Sequence, residues 1–182
     1  MKSCFFISVS LKVADAGAVT AFSCLINEMN YKGVLIGCQR RELWKIVWNC
    51  ESVKMTQENL SITLAENTRV FVNPNKHVYD VFYNSLKMIQ KTGADIFRVG
   101  ICVRDKNDIK GKQALETLHK LYDYSSVIDE VSYNVLWLLD IKASSKDAAR
   151  KIAEDIAITK GISKGLLANP HSQIISFDPN FS

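Results

Sequence analysis

The sequence predicts an α+β protein in which one β-α-β-β-α-β unit is written twice in tandem. Three observations predict it. Some apolar runs alternate with polar residues, the period of strands, while others repeat every three to four positions, the period of helices. Two phrases almost a hundred positions apart, FVNPNKHVYDV at 71–81 and GLLANPHSQIISF at 165–177, each lead an apolar run through Asn-Pro into a short alternating segment. The halves also superpose at an offset of 93, with Asp15 on Asp108, Leu25 on Leu118, Tyr31 on Tyr124, Val34 on Val127 and Leu43-Trp44 on Leu136-Trp137. The offset widens to 96 at Pro74 and Pro170, which places an insertion of about three residues near 159–163.

In the first half, Phe5, Ile7, Val9, Leu11 and Val13 alternate with Ser8, Ser10 and Lys12, so 5–13 reads as a half-buried strand. That alternation speaks against a secretory leader, although Lys2 and Ala14-Asp15-Ala16 imitate its ends. Ala18, Phe22, Leu25 and Met29 then form one helical stripe. Strands at 34–37 and 43–48, a helix near 57–72, Asn73-Pro74 and a strand at 77–83 complete the unit. Residues 84–92, with Leu86 and Ile89 at helical spacing and Gly93 behind them, read as a short helical connector. The expected division is 1–83, a connector 84–94, and 95–182, with the connector short enough to hold the halves together.

In the second half, Phe97, Val99, Ile101 and Val103 alternate with Arg98 and Arg104 across a strand at 96–104. Ala114, Leu118, Leu121 and Tyr122 share a helical stripe after Asp108. A short strand at 127–131 precedes a nearly continuous apolar one at 135–142, whose composition predicts cover on both faces. Ser144, three residues before Asp147, resembles a capping box, and Ala149, Ile152, Ala153 and Ile156 form the face of the helix that follows. Proline disfavours the helical region for the residue before it and has no N–H, so Asn169-Pro170 ends this segment and the chain returns as a strand at 173–177.

Composition narrows the function classes. With 47% hydrophobic and 23% charged residues the chain has the balance of a folded globular protein, and no apolar run approaches the roughly 20 residues that span a bilayer. The net charge of +4 lies in residues 1–92, with 11 Lys/Arg against 7 Asp/Glu, and within that stretch Arg40-Arg41 is the one basic pair. No basic face interleaved with aromatics points to nucleic acid. Five cysteines, Cys4, Cys24, Cys38, Cys50 and Cys102, form no C-x-x-C pair, which fits free thiols in the cytoplasm better than disulfides or zinc.

Catalytic candidates are sparse. His119 lies at the edge of a helical stripe and reads as a surface residue. His77 and His171 follow the Asn-Pro junctions at different distances, so they do not form one repeated site. For these two, no thiolate or carboxylate stands nearby at ligand spacing. Gly111-Lys112 lacks the upstream glycine of a phosphate loop. Lys110 and Lys112 stand at a helix N-terminus where an anion can bind, though their pattern fits a solvated face better. Trp44, Trp48 and Trp137 lie on strands and read as core more readily than as a stacking platform.

Residues 97–178 resemble the small PurS subunit of phosphoribosylformylglycinamidine synthase, the purine-biosynthesis ligase assembled from separate chains. Asp108-Ile109-Lys110-Gly111 stands where that family has D-P-x-G, and Leu166-Leu167-Ala168-Asn169-Pro170 reproduces its L-L-A-N-P run before the last strand. The first half departs from the pattern. Val72-Asn73-Pro74 lacks the Leu-Leu, and Asp15-Ala16-Gly17 is one residue short. The doubled unit also resembles the N-terminal region of the large single-chain synthase.

The resemblance implies two ferredoxin-like units packed as an intramolecular pseudo-dimer, with a further homodimer open. It implies a cytoplasmic, non-catalytic subunit without cofactor or metal. Such a subunit bridges a PurL-type synthetase and a PurQ-type glutaminase, in an ATP- and glutamine-dependent complex that passes ammonia to formylglycinamide ribonucleotide. Asp108, Gly111, Leu166, Leu167, Ala168, Asn169, Pro170, Asn73 and Pro74 are then the partner-interface candidates. The alternative is a regulatory module of ACT-like type, which binds a small molecule in a polar pocket between its halves.

Overall fold

Two fifteen-residue strands organise the chain in the computed structural model, which describes residues 2–51, 55–83, 86–158 and 165–178. The elements run β1 (Lys2–Leu11), α1 (Ala16–Asn27), β2 (Leu35–Asn49), α2 (Gln57–Asn67), β3 (His77–Tyr83), β4 (Ile89–Lys91), β5 (Ile96–Asp105), α3 (Ile109–Leu121), β6 (Ile128–Lys142), α4 (Lys146–Ala157) and β7 (Gln173–Ser176). Among the described residues this is a mixed α+β chain with four helices and a seven-stranded antiparallel sheet. The strand order is β3-β1-β2-β6-β5-β4, with β7 also beside β5.

The sequence predicts a break between 37 and 43, and another between 131 and 135. Neither forms; β2 and β6 each run through without a turn. The residues at the expected breaks, Gln39-Arg40-Arg41-Glu42 and Ser132-Tyr133-Asn134, include neither the glycine at positive φ nor the proline that a tight hairpin uses. With no local reversal encoded, the ladder simply continues.

Three further expectations shift. The connector is not helical: Ile89–Lys91 forms β4 and pairs with Phe97–Val99 of β5, while residues 84–85 lie outside the described segments. α2 ends at Asn67 instead of near 72, because Thr68 turns its hydroxyl back onto the Leu64 carbonyl at 2.6 Å and closes the helix. The cap of α4 is Ser145, not Ser144, and its hydroxyl accepts the Ala148 N–H at 3.1 Å. Since Thr56 caps α2, the halves stand 89 apart at these helix starts. The longer β2–α2 connection therefore belongs to the first copy, and the expected insertion at 159–163 lies outside the described residues.

The chain forms two compact units, and each draws on both halves of the sequence. The first comprises Met1–Val13, Arg41–Leu86 and Asn107–Asn134, and so holds β1, α2, β3 and α3 with the second part of β2 and the first part of β6. The second comprises Ala14–Arg40, Lys87–Lys106 and Val135–Ser182, and holds α1, β4, β5, α4 and β7 with the remaining parts of the long strands.

In the first unit, Leu60 and Leu64 of α2, Leu118 of α3, and Phe5 and Ile7 of β1 are fully buried. Trp44 packs edge-on against Phe71 and Tyr133, with ring centroids 5.1 and 4.8 Å away. In the second unit, Ala18, Ala21 and Leu25 of α1 and Ala149, Ala153 and Ile156 of α4 close over Val99, Ile101, Trp137, Leu139 and Ile141. Alanine at those helical positions lets the helices lie close to the sheet, and burying Leu25 alone contributes about 1.5–3 kcal/mol. Phe5 through Val9 are buried in succession, so the alternation that predicts one wet face on β1 is overridden and Ser8 is buried too.

Candidate functional site

The motif residues can be rebuilt from their hydrogen bonds. Asp108 caps α3: its carboxylate accepts the Gly111 N–H at 3.0 Å and the Tyr133 N–H at 3.1 Å, tying the helix start to β6. Gly111 has no room for a side chain, since a Cβ there would lie 2.6 Å from the Val131 carbonyl oxygen and against the Asp108 carboxylate. The Asp-x-x-Gly spacing is thus what a helix needs to start in contact with a strand. In the first copy Asp15 accepts the Ala18 N–H at 2.9 Å and pairs with Arg40 at 3.2 Å.

The run before the second proline caps the other end of a helix. An α-helix leaves its last carbonyls without internal partners. Here the Leu166 N–H donates to the Ile156 carbonyl at 2.9 Å and the Ala168 N–H to the Ala157 carbonyl at 3.0 Å, closing α4. Leu167 and Ala168 are buried in the core of the second unit, and Leu166 packs against it.

The two Asn-Pro turns repeat bond for bond. Asn73 Oδ1 accepts the Asn75 N–H at 3.0 Å, and Asn169 Oδ1 accepts the His171 N–H at 3.0 Å. The Asn73 carbonyl accepts from Lys76 and His77, as the Asn169 carbonyl accepts from Ser172 and Gln173. Lys12 Nζ donates to the Pro74 carbonyl at 2.7 Å, and Lys106 Nζ to the Pro170 carbonyl at 3.2 Å. Asn73, Pro74, Asn169 and Pro170 are all exposed at these turns. The nine sequence-derived residues therefore occupy caps and turns, with Asp108, Gly111, Asn73 and Pro74 in the first unit and the Leu166–Pro170 stretch in the second.

The titratable groups follow burial. Burial, reinforced by the Asp15 and Asp140 carboxylates, pushes the Cys38 thiol up to about 12. Burial with Asp178 nearby pushes Cys102 up to about 12. Both are held as thiols at neutral pH, whereas nucleophilic chemistry uses the thiolate. Asp140 receives a two-pronged bond from Arg98, at 2.8 and 2.9 Å. His119, expected at the surface, hydrogen-bonds the Ile128 carbonyl at 2.8 Å. Among the described residues no group of three or more His, Cys, Asp or Glu side chains is placed to hold a metal ion, and no helix is long and apolar enough to cross a membrane.

Among the described residues, the first unit holds these cavities. One, of about 530 Å³, lies beside the Asn73-Pro74 turn and is bordered by Lys12, Glu66, His77 and Tyr79. Tyr79 donates to Glu66 at 2.7 Å, and burial together with this bond pushes its hydroxyl up to about 12. Another, of about 330 Å³, lies between α3 and residues 68–70, with Trp44, Arg69 and Lys110 among its lining. The sequence reading misses Arg69 because it runs α2 past it; Asn67-Thr68, two weak helix formers together, was the available stop signal.

Comparison with family models, curated proteins and solved structures returns no match for this chain.

Proposed function

We propose that this chain is a tandem form of the PurS small subunit, a cytoplasmic and non-catalytic assembly subunit of phosphoribosylformylglycinamidine synthase. In this reading it bridges a PurL-type synthetase and a PurQ-type glutaminase so that ammonia passes to formylglycinamide ribonucleotide. The observation that carries the reading is the bond-for-bond repetition of the Asn-Pro turns, one of which ends the L-L-A-N-P run. It supports a duplicated unit whose better-preserved copy resembles PurS.

The finer fold belongs to the same proposal. Each compact unit has two helices on strands in a ferredoxin-like order: β3-β1-β2-β6 with α2 and α3 in one, and β7-β5-β6-β2 with α1 and α4 in the other, where the short β4 adds to β5 on the same edge as β7. On this reading the copies have exchanged their first helix and second strand because β2 and β6 do not turn back, a form of domain swapping. The exchange makes the pseudo-dimer intramolecular.

The deciding assay uses purified synthetase and glutaminase from the native cell, driven either by glutamine or by ammonium ions. The expected result is that the ammonium-driven rate is indifferent to this chain while the glutamine-driven rate requires it. Equal glutamine-driven rates with and without the chain would overturn the proposal.

A further inference from the structure

We propose that the cleft between α3 and residues 68–70 is a binding site for a small phosphate-type anion. This goes beyond the assembly role and does not depend on it. The cavity, about 330 Å³, is at the lower end of the range that small-molecule sites occupy.

Its charge comes from two elements. Lys110 is in the first turn of α3, with its ammonium 4.2 Å from the centre of the Tyr133 ring. The one carboxylate paired with it, Glu42, stands 3.9 Å away with both side chains partly in solvent, a weak and screened pair. Arg69, on the facing loop, has no ion-pair or hydrogen-bond partner among the described residues. Its backbone is left-handed, at φ 55°. That conformation is uncommon for a residue with a side chain. It is held by Thr68, whose hydroxyl accepts the Val70 N–H at 3.3 Å and whose carbonyl accepts the Tyr122 hydroxyl.

Gln113 of α3 borders the same cleft and adds an amide. Thr117 also lines it, but its hydroxyl already donates to the Gln113 carbonyl at 2.8 Å. A guanidinium and an ammonium brought to one cleft from two elements suit the several oxygens of a phosphate group.

The duplication offers a contrast. At the offset of 93, α1 carries Gly17, Thr20 and Cys24 where α3 carries Lys110, Gln113 and Thr117. The cation is therefore not a requirement of the repeated fold.

The test is calorimetric titration of the full chain with inorganic phosphate, and separately with succinate, at constant ionic strength. Phosphate is expected to bind in the millimolar range or tighter and to raise the unfolding temperature. Arg69→Gly and Lys110→Met should each weaken it by about tenfold or more, while Lys112→Met should leave it unchanged. Glycine suits the backbone of position 69, so loss of affinity there cannot be ascribed to unfolding. Absence of phosphate binding, undiminished affinity in the Arg69 and Lys110 variants, or succinate binding as tightly as phosphate would each overturn the proposal.

Discussion

The Asp108 carboxylate lies 3.1 Å from the backbone nitrogen of Tyr133, so one side chain both starts α3 and fastens it to β6. Asp108→Ala removes a helix cap and leaves a half-buried N–H without its acceptor. The expected loss is about 2 kcal/mol or more. Asp108→Asn should cost less, because asparagine still accepts and tolerates the left-handed backbone at φ 38°. Urea midpoints of the three proteins check this, and an Asn variant as unstable as the Ala variant would contradict it.

Gly111 supplies a sharper comparison. Gly111→Ala places a methyl group 2.6 Å from the Val131 carbonyl oxygen, and overpacking against backbone costs about 1–3 kcal/mol. The matched position in the other copy, Ala18, already carries that methyl group; at Gly17 beside it the nearest atom to an added Cβ is Asp15 Oδ1 at 3.0 Å, on a side chain that can yield. Alanine is also the better helix former, by about 1 kcal/mol. Gly17→Ala is therefore expected to be near neutral where Gly111→Ala is clearly destabilising, as thermal unfolding of the pair would report.

The paired turns make a prediction about equality. Asn73→Ala and Asn169→Ala each delete one side-chain bond at an exposed Asn-Pro turn, so each should cost about 1 kcal/mol and the two should agree within about 0.5. Aspartate keeps an acceptor in the same place and should restore most of the loss at either position. A large cost at one turn and none at the other, in denaturant titrations, would show that the repeated geometry is not repeated energetically.

Alkaline pH should weaken the fold through its buried thiols. Cys38 and Cys102 titrate near their ordinary 9.0 in the unfolded chain and near 12 in the fold. Between those values the unfolded chain has released protons that the folded chain still holds. The contribution to stability is complete below pH 9 and is lost as pH rises toward 12. Tyr79, raised from 10.0 to about 12, adds to the decline over the upper part of that window. The double variant Cys38→Ala/Cys102→Ala should show a flatter stability profile between pH 9 and pH 11. Identical slopes in the two proteins would refute the assignment.

How much of this was legible in the sequence depended on whether local chemistry decided the outcome. Asp108, Gly111 and the Asn-Pro turns are short-range devices, and their residue types announced them. The strand at His77–Tyr83 and the stripe Ala18–Leu25 followed from periodicity in the same way. What escaped was set by distant partners. At Arg40-Arg41 the missing glycine or proline argues against a tight turn but does not by itself carry a strand through, and pairing along β2 and β6 completes the decision. Ile89 has helical spacing from Leu86, yet the free edge of β5 takes it as a strand. The cleft was hidden because it joins Trp44, Arg69 and Lys110, which are far apart in the chain; Trp44 and Lys110 drew notice singly, but no local pattern brings Arg69 to them.

The composition of the compact units leads to a last prediction. α1 buries Ala18, Ala21 and Leu25 in a core whose strands include β5 and the second part of β6, from the other half of the sequence. α3 likewise buries Ala114 and Leu118 in a unit whose β1, α2 and β3 come from the first half. A fragment of residues 95–182 therefore carries α3 without the surface that covers it. Exposing Leu118 alone forfeits about 1.5–3 kcal/mol, a large share of the roughly 5–15 kcal/mol that holds a domain together. Two copies of the fragment can recover the loss by exchanging helices, so sedimentation should find it as a dimer, or circular dichroism should find it unfolded. Adding residues 1–92 should then draw it into a one-to-one complex with the unfolding behaviour of the intact chain. A well-folded monomer of either fragment would show that each half completes its own core, and the exchange read from these units would be wrong.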